Sequence, residues 1–288
     1  MIEGLVTKVK KEIKLKSFYD VIELHPFGDI HWDTDACERR RFDDDLRTMK
    51  KSKYPLYLGM GDYLDFVAWG DRKKICNAGT HDTTMEKLNR MCNDDLKSFA
   101  RKIAFMKPNI IGLLDGNHDW VDDHGRGGAE VMSNWLSTAY LGWLTYIKLS
   151  INVFGQYVSV DIVACHGKGG GKLPGTSINQ VEDLHRIFPA ADIFIQGHNH
   201  QRGGWPISSL FASSYAAKEG QDFAIKEKTQ WLCRSGSYMK AYETGCGGFA
   251  SRKLLRPSSL GKITIRISVE RHEHNNLKAI APKIMVEA

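Results

Sequence analysis

The chain has 288 residues, enough to bury a core in one large domain or two small ones. Hydrophobic residues at 42% and charged residues at 26% exclude a disordered chain. Lys plus Arg number 40 against 34 Asp plus Glu, a net charge of +6 that is compatible with an anionic substrate but far below a histone-like excess.

The six cysteines, at 37, 76, 92, 165, 233 and 246, form no C-x-x-C pair, and a chain of this length needs no disulfide staples. Reduced thiols and a cytoplasmic location are therefore expected. Met1 to Lys16 is studded with lysine and lacks the apolar segment of a signal peptide. The longest near-apolar run, Ala139 to Ile147, is too short to span a bilayer, so no membrane partner is expected.

The first sixteen residues fit either a helix, through Val6, Val9 and Ile13, or an edge strand of apolar residues alternating with lysine. Tyr19 to Leu24 predicts a strand that breaks at His25-Pro26-Phe27-Gly28 and delivers Asp29 and His31. Cys37 to Lys50 is charged and helical in spacing. Pro55 to Leu58 predicts a second strand, ending at Gly61-Asp62 with Asp65 three residues on. The interval 71–107 reads as an insertion, a polar loop followed by a helix over Met85 to Met106. Ile110 to Leu114 is an apolar run too brief for a helix, and it stops at Asp115-Gly116, delivering Asn117, His118 and Asp119.

Beyond a glycine-rich loop at 125–128, a helical stretch is expected around Val131 to Leu141. Tyr146 to Val153 and Gln156 to Ala164 predict a hairpin about Phe154-Gly155, its second strand ending at Cys165-His166-Gly167. A helix is expected to begin near Thr176 or Ser177. Ala191 to Ile195 predicts a strand ending at Gly197-His198-Asn199-His200. The tail, Ile207 to Val269, is strand-like, with alternation over Ala224 to Cys233 and Lys262 to Val269. Without an internal repeat or a linker, 1–288 is expected to be one α/β domain.

Five strand-like runs thus end in Asp or His: Asp29-x-His31, Gly61-Asp62-x-x-Asp65, Gly116-Asn117-His118-Asp119, His166-Gly167 and Gly197-His198-x-His200. Open α/β sheets gather ligands at the carboxyl ends of their strands. Oxygen and imidazole donors without thiolate suit Mn, Fe, Zn or Ni. Seven donors are too many for one four-coordinate ion and about right for two ions sharing a carboxylate.

In this order the blocks resemble the signature of the calcineurin-like metallophosphoesterase superfamily, D-x-H, G-D-x-x-D, G-N-H-D/E, H and G-H-x-H, over about residues 20–240. The resemblance implies a two-sheet β sandwich flanked by helices, with a di-metal site at the strand ends. It assigns Asp29, His31 and His200 to one divalent transition metal, Asn117, His166 and His198 to a second, and Asp62 to a bridge, with Mn the first expectation for both ions. It implies in-line attack of a metal-bound hydroxide on phosphorus, His118 protonating the leaving oxygen and Asp119 orienting His118. Asp65 would support a ligand from behind.

Outside the blocks, His124 and Arg126 follow the catalytic turn closely enough to border a substrate. Lys168 and Lys172 flank three glycines, either as a solvated loop or as a cationic flap for a non-reacting phosphate. Arg234, before a Gly-Ser turn, is either structural or turned to the substrate. Asp65-Phe66 and Asp119 stand where the superfamily's Ser/Thr protein phosphatases have Arg-Gly and Glu, which implies a phosphodiesterase or nuclease acting on a nucleotide or nucleic acid. Trp32, Trp69 and Trp120 suit such a substrate or cover the core. A phosphomonoesterase of small metabolites, or a binding module that has lost its chemistry, are the alternatives, and the oligomeric state is left open.

Overall fold

The computed structural model describes residues 6–66, 82–122, 124–168, 174–213, 222–242, 257–274 and 277–288. The chain begins with β1 (Thr7–Leu15), β2 (Ile22–Phe27), α1 (Arg39–Met49) and β3 (Tyr54–Gly59). Then come α2 (Asp82–Ile103), a short 3-10 turn (Ala104–Asn109), β4 (Ile110–Leu114), α3 (Gly128–Leu136) and β5 (Ala139–Gly142). β6 (Leu144–Val153), β7 (Gln156–Cys165), α4 (Pro174–Ile187) and β8 (Ile193–Gln196) follow. The chain closes with β9 (Arg202–Ser213), β10 (Ala224–Ser237), β11 (Gly261–Lys262), β12 (Thr264–His274) and β13 (Leu277–Glu287).

Two sheets form a sandwich. One runs β1-β6-β7-β8-β10-β11 with β9 on β10, and the other runs β13-β12-β2-β3-β4-β5. Alternation builds the layers: Leu56 and Leu58 of β3 point into the core between the sheets, while Tyr57 between them points outward to the helices. That central core joins Leu24, Leu114 and Ile265 of one sheet to Ile147, Ile162, Ile195 and Cys233 of the other. On the outer face of the second sheet lie α1, α2 and α3, through Phe42 and Leu46, Phe99 and Ile103, and Val131 and Leu136. Their apolar residues recur at three- and four-residue intervals, as a helix needs to bury one face. α4 covers the first sheet with Val181 and Leu184 against Val163, Phe194 and Leu232.

The N-terminal stretch is the edge strand of the two alternatives, paired in parallel with β6 from Thr7↔Thr145 to Leu15↔Val153. The hairpin β6–β7 turns at Phe154 and Gly155, both at positive φ (52° and 83°), the geometry that matches strand twist. Two boundaries differ from the sequence pattern. β2 continues through Pro26 to Phe27, because the ladder to β12 spans only Ile22 to Leu24 and Pro26 is paired on the β3 side alone. The helix expected over 131–141 stops at Leu136, where Ser137 turns left-handed (φ 54°), and 139–142 becomes β5. In the interval 71–107 the predicted helix is α2, while 71–81 lie outside the described residues. Among the described residues no helix is long and apolar enough to cross a membrane.

Candidate metal centre

β2, β3 and β4 are mutually parallel, as are β7 and β8, so the loops leaving their carboxyl ends collect together. The loops after β2 and β3 are laced by Asp29 N to Gly61 O at 3.0 Å and Ile30 N to Asp62 O at 2.8 Å. Gly61 is required there: its φ is +91°, and a Cβ would stand 2.7 Å from His166 Nδ1.

This lacing brings distant histidines and carboxylates into contact. Asp29, His31 and His200 present ligand atoms within 4.8 Å of one another, and so do Asp62, His166 and His198. A third such group, His31, Asp65 and His118, shares His31 with the first. Asp62 stands between the first two, Oδ2 being 3.9 Å from His31 Nε2 and 3.3 Å from His166 Nε2. Asn117 Oδ1 accepts from His166 Nε2 at 2.9 Å and from His198 Nδ1 at 2.6 Å. His200 Nε2 is 3.7 Å from Asp29 Oδ1, and Asp29 also accepts the His198 amide at 2.9 Å.

The backbone pays for this gathering in strain. Asp29, His31, Asp62, His198 and His200 all hold φ between 47° and 68°, a left-handed region that costs a non-glycine residue about 1–3 kcal/mol. Only four other described non-glycine residues do so, which marks the cluster as functionally constrained.

Electrostatically the pocket is short of positive charge. Asp29 and Asp62 are 0% and 2% exposed, and buried carboxylates demand a cation or a proton. Burial raises Asp29 to about 6. Burial pushes Asp62 the same way, but the His166 hydrogen bond and the histidine charges outweigh it and hold this carboxyl below its usual range. Burial also opposes a charged His166, yet the Asp62 bond and charge raise it to about 9. Its Nδ1 lies 2.8 Å from Met60 O while Nε2 faces Asn117 and Asp62, so both nitrogens face acceptors, which favours the doubly protonated ring. A cation taken at Nε2 must displace that proton. Burial, then neighbouring histidine charges, lowers His198 to about 4 and His200 to about 3, leaving neutral imidazoles. His31 Nε2 is buried without a hydrogen-bond partner. Two buried carboxylates, neutral imidazoles and an orphaned ring nitrogen fit divalent cations.

His118 lies beside this cluster, its ring 4.9 Å from that of His31 and its amide donating to Asp62 Oδ1 at 2.9 Å. Its Nδ1 is ion-paired with Asp65, which also takes His31 Nδ1 at 3.3 Å. Burial works against a charged His118, but the Asp65 bond and the Asp62 charge raise its pKa. Asp65 is itself fixed by Asp33, whose carboxylate accepts the Asp65 and Phe66 amides at 2.6 and 2.7 Å. The neighbour expected to orient His118, Asp119, accepts the Trp120 and Gly128 amides at 2.9 and 2.7 Å and so ties the turn to the start of α3. Adjacency in sequence is a poor guide here, because the turn carries the Asp119 side chain toward a helix with unsatisfied amides.

The residues expected to face a substrate part company. Arg234 is 1% exposed and stitches α4 to the His198 turn: Nε and Nη2 donate to Ser177 O at 3.1 and 2.5 Å, Nη1 to Gly197 O at 2.9 Å and Nη2 to Gln180 Oε1 at 2.9 Å. Its guanidinium is occupied with positioning the turn. Arg126 makes a two-nitrogen contact with Asp122, at 3.0 and 2.8 Å, on a cleft with Asn93, His124, Asn134 and Trp135. Lys168 is exposed next to the cluster, and Lys172 lies outside the described residues. Cys165, next to His166, is buried with its thiol pKa raised by burial, as an inert thiol would be.

Supports that no local pattern could reveal come from the far end of the chain. Ser237 Oγ and Tyr238 N both donate to Asp29 O, at 2.9 and 3.1 Å, the first across 208 residues.

No family model and no curated protein matches the chain. Among solved structures, Vacuolar Protein Sorting 29 from Cryptosporidium parvum aligns with 93% of this chain and 98% of its own length. The identity is 13% and the TM-score 0.34, a likeness too slight to argue from.

Proposed function

We propose that the chain is a dinuclear metal-dependent phosphoester hydrolase, most simply a phosphodiesterase acting on a nucleotide or nucleic acid. The observation that carries this reading is Asp62, a buried carboxylate set between His31 of one donor group and His166 of the other. Asp29, His31 and His200 would hold one divalent cation, Asn117, His166 and His198 the second, and Asp62 would be shared. Mn is the first candidate for both, with Fe, Zn and Ni compatible with the same donors. Bound cations would supply Lewis acidity and neutralise charge on the phosphoryl oxygens.

The chain's own residues supply the rest. His118 Nδ1 is held by Asp65, which leaves Nε2 as the ring atom free to give a proton to a leaving alkoxide. Burial opposes a charged ring, but the Asp65 hydrogen bond and the Asp62 charge outweigh it and shift His118 toward the protonated form. Arg234 and Ser237 fix the backbone on which His198 and Asp29 sit, so the donors are pre-positioned. The diester preference rests on the resemblance, through Asp65-Phe66 and Asp119.

Mn-loaded protein should hydrolyse bis-p-nitrophenyl phosphate, with metal content measured alongside, and His118→Ala and Asp62→Ala should each remove most of the turnover. Turnover of p-nitrophenyl phosphate alone would replace the diesterase by a phosphomonoesterase. Inactivity on both substrates with every metal would leave a binding module.

A further inference from the structure

Beside the donor cluster but outside it, cationic side chains from three separate elements converge on β11. Gly261 has φ +114°, and a Cβ built there would meet Arg41 Nη2 at 2.8 Å and Arg202 Nη1 at 3.1 Å. One guanidinium comes from α1 and the other from the start of β9. Lys262, the next residue, is 9% exposed and donates from Nζ to His25 Nδ1 at 3.1 Å and Thr264 Oγ1 at 2.9 Å.

Anions are scarce around these cations. Among the described residues Asp45 is the carboxylate in contact, with Oδ1 3.3 Å from Arg41 Nε and Oδ2 accepting the Tyr238 hydroxyl at 2.9 Å, while Glu23 acts on Lys262 through its charge. Arg202 donates from Nη2 to Ser259 Oγ at 2.7 Å, and among the described residues neither it nor Lys262 has an ion-pair partner. Arg41 lies in the first turn of α1, which contains no acidic residue after the N-cap Glu38, although the positive end of the helix dipole disfavours cations there. Folding has gathered like charges where packing alone gives no reason to.

We propose that Arg41, Arg202 and the Gly261–Lys262 turn form an anion site for a phosphate other than the one cleaved, in a polyphosphorylated nucleotide or a nucleic-acid strand. Two guanidinium forks meeting at one point suit the spread oxygens of a phosphate, and the glycine is what lets both forks close on the backbone there. The site is reachable from solvent, since the Arg41 side chain is 44% exposed and Ser259 is exposed. It also adjoins the metal centre. Arg202 is two residues past His200, a span of at most about 7 Å. Ser237 and Tyr238, which hold the Asp29 carbonyl, link the two sites from the other side. The identity of the ligand rests on the phosphoesterase reading; the existence of an anion site does not.

The test uses chelator-treated full-length protein, so that binding is read without turnover. A fluorescein-labelled twelve-nucleotide oligothymidylate is titrated by anisotropy at several salt concentrations, and inorganic pyrophosphate is titrated by calorimetry. Arg41→Gln/Arg202→Gln should weaken binding by about tenfold or more, the scale of one or two charge-assisted hydrogen bonds. For the strand, the slope of log affinity against log salt should fall by about 0.7, as when the protein neutralises one phosphate fewer. Arg202→Lys, which keeps the charge without the fork, should fall between, and Arg41→Gln alone serves if the double variant does not fold. Loss confined to the oligonucleotide identifies a strand phosphate, and loss confined to pyrophosphate identifies a nucleotide. Unchanged affinity for both probes, no binding of either by the unmodified protein, or tighter binding of hexaglutamate than of either would overturn the proposal. Hydrolysis of bis-p-nitrophenyl phosphate by the Mn-loaded unmodified protein decides the phosphoesterase reading separately.

Discussion

Replacing Arg234 with methionine separates a positioning role from a substrate contact. The guanidinium makes four hydrogen bonds, two to Ser177 O and one each to Gly197 O and Gln180 Oε1, at 1% exposure. Burial lowers its pKa only to about 10, so it is charged at neutral pH and the bonds are charge-assisted. Hydrogen bonds to a charged group contribute about 1.5–3 kcal/mol each, and the desolvation no longer suffered on removing the charge offsets several kcal/mol of that total. The acceptors are not all orphaned, because Gly197 O still receives the Asn199 amide at 2.8 Å and Gln180 the Asn199 side chain at 2.7 Å. The net loss should therefore be about 2–4 kcal/mol of unfolding free energy, read from urea melts in which the midpoint falls while the slope is unchanged. Because Gly197 precedes His198, metal affinity should also drop about 10- to 100-fold, as for other residues that orient ligands. A loss under about 1 kcal/mol with metal affinity intact would refute the reasoning and make Arg234 a substrate contact again.

The other outcomes follow from the same contacts. Asp65→Asn should move the alkaline limb of the kcat profile to lower pH: the charge that raises His118 is removed, and the protonated form survives over a narrower range. Asp119→Ala should leave that limb in place and cost about 1 kcal/mol of stability through the start of α3, so a shifted limb would restore Asp119 as the partner of His118. Burial, with the Lys262 and Arg266 charges, lowers His25 from 6.5 to about 3, so the unfolded chain binds the extra proton between those values and stability falls as pH drops through that window. His25→Gln should therefore lose about 2 kcal/mol less than the parent between pH 6.5 and 5, and equal acid sensitivity would contradict this. Adding Mn to chelator-treated protein should raise the melting temperature with two equivalents bound; an unaltered melt at millimolar Mn would count against the metal reading.

Much of the donor cluster is legible because each donor follows a short apolar strand and a glycine turn, and both signals are local. Ile110 to Leu114 ends as its pattern predicts, and the helix after it does not, since the spacing of Val131, Leu136 and Leu141 spans two elements. Only Ser137 and Thr138 separate them, the first left-handed, and serine is not a strong signal for that conformation. Likewise Pro26 reads as a strand breaker until the partner strands are known. The pairing of His118 with Asp65 rather than with its neighbour Asp119 depends on where two loops meet, which composition cannot encode. Arg41, Arg202 and Gly261 stand still further apart, on α1, β9 and β11, and nothing in their spacing hints that they meet.

The parallel ladder of β1 with β6 has a consequence for biosynthesis. Thr145 Oγ1 reaches Thr7 O across 138 residues, so this outer strand has no ladder partner until that much more chain has been made. At about 5–20 residues per second, the wait is roughly 7–28 s on a ribosome. A nascent strand left open for that interval is an invitation to pair with a neighbour, and Lys8, Lys10, Lys11 and Lys14 make such pairing electrostatically unwelcome. The lysines that made this stretch ambiguous to read are then its protection while the polypeptide is still being synthesised.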